Sequence, residues 1–163
     1  MPEDWIGSAQ YSPDKKHRYV LYRDFFKWTI NESCVFIMLN PSVATEFISD
    51  PTVRRCEGFC RLWGYRRLVV LNIFALRSTD PKKLYTDPDP VGELNNIYLQ
   101  NSSKGAGVIV CAWGVHGKHL NRGQEVLRML VHKKPCYLKL TKEGIPSHPL
   151  YLKADLKPIP YLV

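Results

Sequence analysis

Two asparagines and a histidine stand where folding alone does not easily explain them. Asn72 lies inside the apolar run LVVLNIF, residues 68–74, and a buried amide needs hydrogen-bond partners. Asn40 closes the run CVFIML and is followed by Pro41 and Ser42, while His148 sits on a loop fixed by Pro146 and Pro149. An amide donates and accepts hydrogen bonds but takes up no proton, whereas a carboxylate does, and Asp50 is the acid in reserve if a true general base is needed. Structural readings stand beside these. Asn-Pro and His-Pro are common turn dipeptides, so Asn40 can simply end a strand and His148 shape a turn. Asp50-Pro51 and Asp80-Pro81 read first as helix caps followed by proline at the first helical position. Cys56 and Cys60, four apart on one helix face, have no second pair to complete a metal site, so no metal is expected.

The elements that must position these residues follow from hydrophobic periodicity. Residues 19–26 read as an outer strand. Residues 34–39, 68–74 and 107–113 read as strands buried on both faces, and residues 136–140 as the final strand. Between them the patterns predict a helix from Asp50-Pro51 to Gly64, a short turn after Asp80-Pro81, and helices over residues 91–102 and 121–132. Buried strands alternating with helices imply a single α/β domain over residues 1–163, with a mostly parallel sheet and helices on both faces. In such sheets ligands bind beyond the carboxyl ends of the strands. The polar residues there are Asn40 and Ser42, then Asn72 and Arg77, then Trp113, Gly114 and His116, then residues 141–151.

The chain of 163 residues is long enough for one apolar core and too short for two. Lysine and arginine number 23 against 15 acidic residues, a net charge of +8 that favours a polyanion such as nucleic acid as partner; basic residues spread along the whole chain also serve solubility. No apolar run approaches a membrane span, and MPEDWIGSAQ lacks the order of a secretory signal, so a cytoplasmic protein with no membrane association is expected. Five cysteines, three of them inside apolar runs, suit reduced thiols better than a disulfide framework.

Three segments, in order, resemble the uracil-DNA glycosylase superfamily from about Val35 to Leu152. FIMLNPSVA resembles the first motif of the mismatch-specific and single-strand-selective branches, with Leu39 and Ser42 where those branches have glycines. VVLNIFALR resembles the strand ending in the base-reading asparagine, and VIVCAWG followed by SHPLYL resembles the strand and His-Pro loop that close the site. The set NPS, DPTVRRC, WGY, NIFALRSTDP, DPVG, AWG and SHPLYL looks closer still to a bacterial and phage family called domain of unknown function 1643.

The superfamily resemblance implies a three-layer αβα sandwich with a mostly parallel central sheet. It also implies a hydrolase that cleaves the N-glycosidic bond of uracil or a modified pyrimidine in single- or double-stranded DNA, as in DNA repair. Asn40 would hold the attacking water and His148 would donate to the carbonyl oxygen where charge builds up. Asn72 would pair donor and acceptor with a pyrimidine edge; Ser42 and Phe47 fall with it as base-binding residues. Arg54, Arg55 and Arg77 would meet DNA, and Leu150 and Tyr151 would wedge into it. The stretch ALRST lacks the cysteine of the iron–sulfur branches, so neither a cluster nor another cofactor is expected. Phe47 is the only aromatic near the position where those branches stack a ring on the base. The other readings are a binding module of the same fold without turnover and a hydrolase of free nucleosides or nucleotides.

Overall fold

A strand packed on both faces must be apolar on both, and Cys34–Met38 and Leu68–Leu71 are buried throughout. They are the carboxyl halves of β3 (Ile30–Met38) and β4 (Tyr65–Asn72), which pair in parallel through Val35↔Val69 and Ile37↔Leu71. The computed structural model describes residues 4–161. Around this pair lie β1 (Trp5–Tyr11), β2 (Arg18–Phe25), β5 (Val108–Cys111), β6 (Cys136–Tyr137) and β7 (Ile159–Pro160). The helices are α1 (Pro51–Leu62), α2 (Lys83–Thr86), α3 (Asn95–Asn101) and α4 (Arg122–Leu130).

The protein is a mixed α/β fold with one seven-stranded sheet in the order β1-β2-β4-β3-β5-β6-β7. The expectation of a mostly parallel sheet needs correction. The central strands β4, β3, β5 and β6 are mutually parallel, but β1, β2 and β7 join antiparallel. The cause is local: a parallel neighbour needs a long crossover, whereas the turn between Tyr11 and Arg18 is short enough only for an antiparallel partner. The strand expected at the edge, residues 19–26, is therefore second from it, because Trp5–Tyr11 pairs outside it. The final strand expected over residues 136–140 is only Cys136–Tyr137, and β7 covers its edge.

Asp50 begins α1 as its type demands, its Oδ1 accepting from the Val53 amide at 2.8 Å with Pro51 at the first turn. Gly64 ends the helix at φ +83°, a conformation that favours glycine, and a Cβ there would meet Thr29 Oγ1 at 2.4 Å. Cys56, Phe59 and Cys60 of α1 pack with Cys34, Phe36, Leu68 and Val70 against one face of the sheet. On the other face Leu84, Leu99, Val126 and Leu130 of α2, α3 and α4 pack with Val35, Ile37, Val69, Leu71 and Ile109. Each fully buried aliphatic side chain contributes roughly 1.5–3 kcal/mol, so both faces anchor the strands whose ends carry the site. Cys34, Cys56, Cys60 and Cys111 are buried thiols. Among the described residues no helix is long and apolar enough to cross a membrane.

Candidate functional site

Because β2 runs antiparallel to β4, its first residues lie beside the carboxyl end of β4. Arg18, the first residue of β2, is thereby carried to the end of the sheet where Asn40 follows β3 and Asn72 closes β4. A cavity of about 340 Å³ opens there. It is lined by Arg18, Asn40, Ser42, Asp50, Asn72 and His148, together with Thr52, Ser78, Trp113, Gly114 and His116. The expectation that polar residues beyond the strand ends converge holds for these six positions: Asn40, Ser42, Asn72, Trp113, Gly114 and His116. His148 joins them from the loop after β6.

Asn72 is 1% exposed. Its Oδ1 accepts from Arg18 Nη2 at 3.3 Å, and its main-chain oxygen accepts from Asn95 Nδ2 at 2.9 Å. The Asn72 Nδ2 donor is buried without an acceptor among the described residues. Leaving such a donor unmet costs about 1–3 kcal/mol, a cost that an acceptor entering the cavity would offset.

Asn40 is used differently. Its Nδ2 donates to the main-chain oxygens of Pro41 (3.1 Å), Leu76 (3.3 Å) and Ser78 (2.9 Å), fastening the loop after β3 to the loop after β4. Oδ1 is the end of that amide left to accept from a ligand or water.

Arg18 and Arg23, both on β2, hold the loop that separates Asn40 from Asp50. Arg18 Nη1 donates to Ala44 O at 2.9 Å, and Arg23 Nη2 donates to Thr45 O at 2.7 Å and Ile48 O at 3.1 Å. Arg23 also stacks over Trp5, 3.8 Å from the ring centroid. Asp50, the cap of α1, is the one carboxylate among the lining residues.

Pro149 and the turn Pro149–Tyr151 fix His148, whose Nδ1 accepts from the Leu150 amide at 3.3 Å. Accepting there requires a lone pair on Nδ1, so the neutral ring carries its proton on Nε2. Burial pushes the His148 pKa below the usual 6.5, opposed by the Asp50 charge, so the ring is neutral at neutral pH. Gly114, at φ +77°, donates its amide to Pro146 O at 2.8 Å, tying the turn after β5 to the His-Pro loop, and a Cβ there would come into van der Waals contact with His148. On the adjoining rim Tyr85 Oη is 3.0 Å from His116 Nδ1, and the Tyr85 and His119 rings are 4.2 Å apart.

Other expected site residues lie outside this cavity's lining. Phe47 is 80% exposed on the loop between Asn40 and Asp50, so no base-stacking ring is supplied from the cavity wall by that residue. Arg54 and Arg55 line a separate groove of about 290 Å³ with Leu62 and Ala154. Arg77 donates to Lys15 O at 3.1 Å and lies over Tyr11, 5.0 Å from the ring centroid. Leu150 is half-buried, and Tyr151, 91% exposed, projects from the turn that begins at His148.

A second cavity, of about 400 Å³, opens at the amino ends of the strands and is lined by Glu32, Arg66, Arg67 and Lys104 among others. Among the described residues no three His, Cys, Asp or Glu side chains gather as a metal site requires.

The model of the family described as Protein of unknown function (DUF1643) matches residues 18–150, and the chain belongs to that family. No curated protein and no solved structure matches it. The matched span begins at Arg18 and ends just past His148, so it contains every polar side chain described in the cavity wall.

Proposed function

We propose that this member of the DUF1643 family binds a pyrimidine-like nucleobase in the cavity at the carboxyl ends of β3, β4 and β5 and hydrolyses its N-glycosidic bond, with uracil or a modified pyrimidine in DNA as the substrate. One observation carries the reading: among the described residues a buried amide donor, Asn72 Nδ2, is left without an acceptor in the wall of a cavity that also holds Asp50 and a neutral His148.

In this reading Asn72 donates to a carbonyl oxygen of the base. The bond between base and sugar breaks with its electron pair moving onto the base, leaving an oxocarbenium-like sugar. His148 Nε2–H donates to the base oxygen where negative charge collects. Asn40 Oδ1 accepts from the attacking water, and that water's proton passes to Asp50, which an asparagine could not replace as acceptor. The three-layer αβα arrangement of the uracil-DNA glycosylase superfamily belongs to the same proposal. It is supported by α1 against one face of the central strands and α2, α3 and α4 against the other, together with the order of the sequence motifs. Exposed apolar side chains on the loops that carry the lining residues, Val43, Phe47, Val115 and Tyr151, suit contact with an unstacked strand; the net charge of +8 suits its phosphates.

The full use of Asn40 Nδ2 in main-chain hydrogen bonds favours a second reading, a nucleobase-binding module without turnover, in which Asn40 only fastens two loops. Labelled oligonucleotides containing uracil or hypermodified pyrimidines, single- and double-stranded, followed by alkali to break abasic sites, separate the two. Strand breaks that disappear in Asn40→Ala and His148→Ala support the glycosylase. Intact strands retained by the protein in a salt-sensitive manner support the binding module, and neither breaks nor binding removes both.

A further inference from the structure

Arg18 is a buried cavity residue that neither the glycosylase resemblance nor the proposed chemistry uses. It is 2% exposed. Among the described residues its guanidinium makes hydrogen bonds to Ala44 O and Asn72 Oδ1 only, and its Nε is buried without an acceptor. No carboxylate among the described residues lies within the 4.0 Å of an ion pair with it. A buried cation normally has such a partner, because taking a lone charge out of water is costly. Burial pulls its pKa down to about 10, opposed by the charge of Asp50, so it stays protonated at neutral pH.

Two consequences follow for Asn72. A guanidinium only donates, so the atom of Asn72 that faces it is Oδ1 and not Nδ2. The amide is therefore fixed with one oxygen lone pair taken by Arg18 and with its donor unmet, and it cannot turn to suit either kind of base edge. An exocyclic amine brought to that donor would face another donor, whereas a carbonyl oxygen would be matched. The guanidinium charge behind the amide, without an ion-pair partner among the described residues, adds a second preference, for a ring that carries or develops negative charge over one that must gain a proton to leave.

We propose that Arg18 is the specificity residue of this cavity: by holding Asn72 Oδ1 and supplying a buried positive charge, it admits oxo-pyrimidines that can leave as anions and rejects amino-pyrimidines. The proposal rests on the nucleobase reading above. It makes Arg18 a positioning residue for Asn72 and an electrostatic contributor in its own right.

Calorimetric titration of the full chain at pH 7 tests it with the free bases thymine, uracil, 5-fluorouracil and 5-nitrouracil, whose ring N–H grows more acidic along that series, and with cytosine. Affinity is expected to rise along the series, with cytosine weaker than uracil by at least about tenfold. In Arg18→Gln, whose amide still donates but carries no charge, the series flattens and the cytosine discrimination falls. An unchanged discrimination in a folded Arg18→Gln overturns the proposal. If that variant does not fold, the wild-type series decides alone: affinities indifferent to ring acidity overturn it. A wild type that releases uracil from oligonucleotides while showing no such trend sinks the role of Arg18 and leaves the glycosylase reading standing. One that neither cleaves DNA nor binds any base removes both.

Discussion

The two ends of the sheet carry cavities of similar size, about 340 Å³ and about 400 Å³, built to opposite rules. At the amino ends the two arginines of the lining are answered. Arg67 grips Asp24 through two hydrogen bonds of 2.6 and 3.1 Å, Arg66 lies 3.6 Å from the same carboxylate, and Arg66 Nε donates to Asn31 O at 3.0 Å. At the carboxyl ends two buried polar side chains are incompletely answered: among the described residues Asn72 Nδ2 and Arg18 Nε have no acceptor, and no carboxylate lies within ion-pair distance of Arg18. Arginines paired in this way near solvent contribute modestly to the fold. A cavity whose buried donors remain open is stable only because the rest of the domain supports it, and open donors that line a cavity are groups a ligand can satisfy.

Four perturbations would break or sharpen that contrast. The largest effect is expected from Asp50→Asn, which keeps a helix cap of equal quality but cannot take a proton. Single-turnover cleavage should fall by about 100- to 10,000-fold with little change in melting temperature, and a rate near wild type would assign Asp50 to capping alone. His148→Ala should slow the same step by roughly 100- to 1,000-fold, as loss of a donor to a developing oxyanion does. A variant that loses substrate affinity but keeps its rate would make His148 a binding residue instead.

The pH dependence comes next. The His148 pKa is depressed in the folded state, so at acid pH the unfolded chain binds the proton that the folded chain refuses. Stability from this residue is therefore present above its ordinary value of 6.5 and is lost as pH falls below it. Melting curves from pH 8 to pH 5 should decline on the acid side, and His148→Gln should reduce that decline; identical slopes would show that the ring is not held neutral. The smallest effect belongs to the other cavity. Arg67→Ala removes an ion pair whose side chains are about a third exposed, so chemical denaturation should register only about 0.2–1 kcal/mol, with cleavage unchanged.

Much of the positioning was legible before the structure. Asp50-Pro51 announced α1 because cap and proline chemistry is local, and the buried strands announced themselves because covering both faces forces an unbroken apolar run. Asn72 was legible for the complementary reason, a polar side chain within such a run. The sheet's edges were not. WIGSAQY has a glycine and polar residues in its middle, and its pairing with β2 is a tertiary fact that propensity does not encode. Arg18 was the main omission in the site. A basic residue at the start of a strand reads as solvated, and only the antiparallel pairing of β2 with β4 carries it to the end of the sheet. The one hint was the pattern RYVLYRDF, in which Arg18 and Arg23 flank the apolar stretch YVLY. Asn72 was read as offering donor and acceptor together, whereas Arg18 occupies a lone pair of the acceptor, a distinction that needs the partner's coordinates.

The measurement that addresses the contrast most directly is a nuclear magnetic resonance titration of the isotope-labelled chain with uracil, following main-chain and side-chain amides at both ends of the sheet. Shifts concentrated at Asn40, Asn72, Gly114 and Leu150, with Asn31, Arg66, Arg67 and Lys104 unmoved, are the predicted result. Shifts at the amino-end residues, or none at Asn72 when uracil is bound, would contradict the assignment of the site.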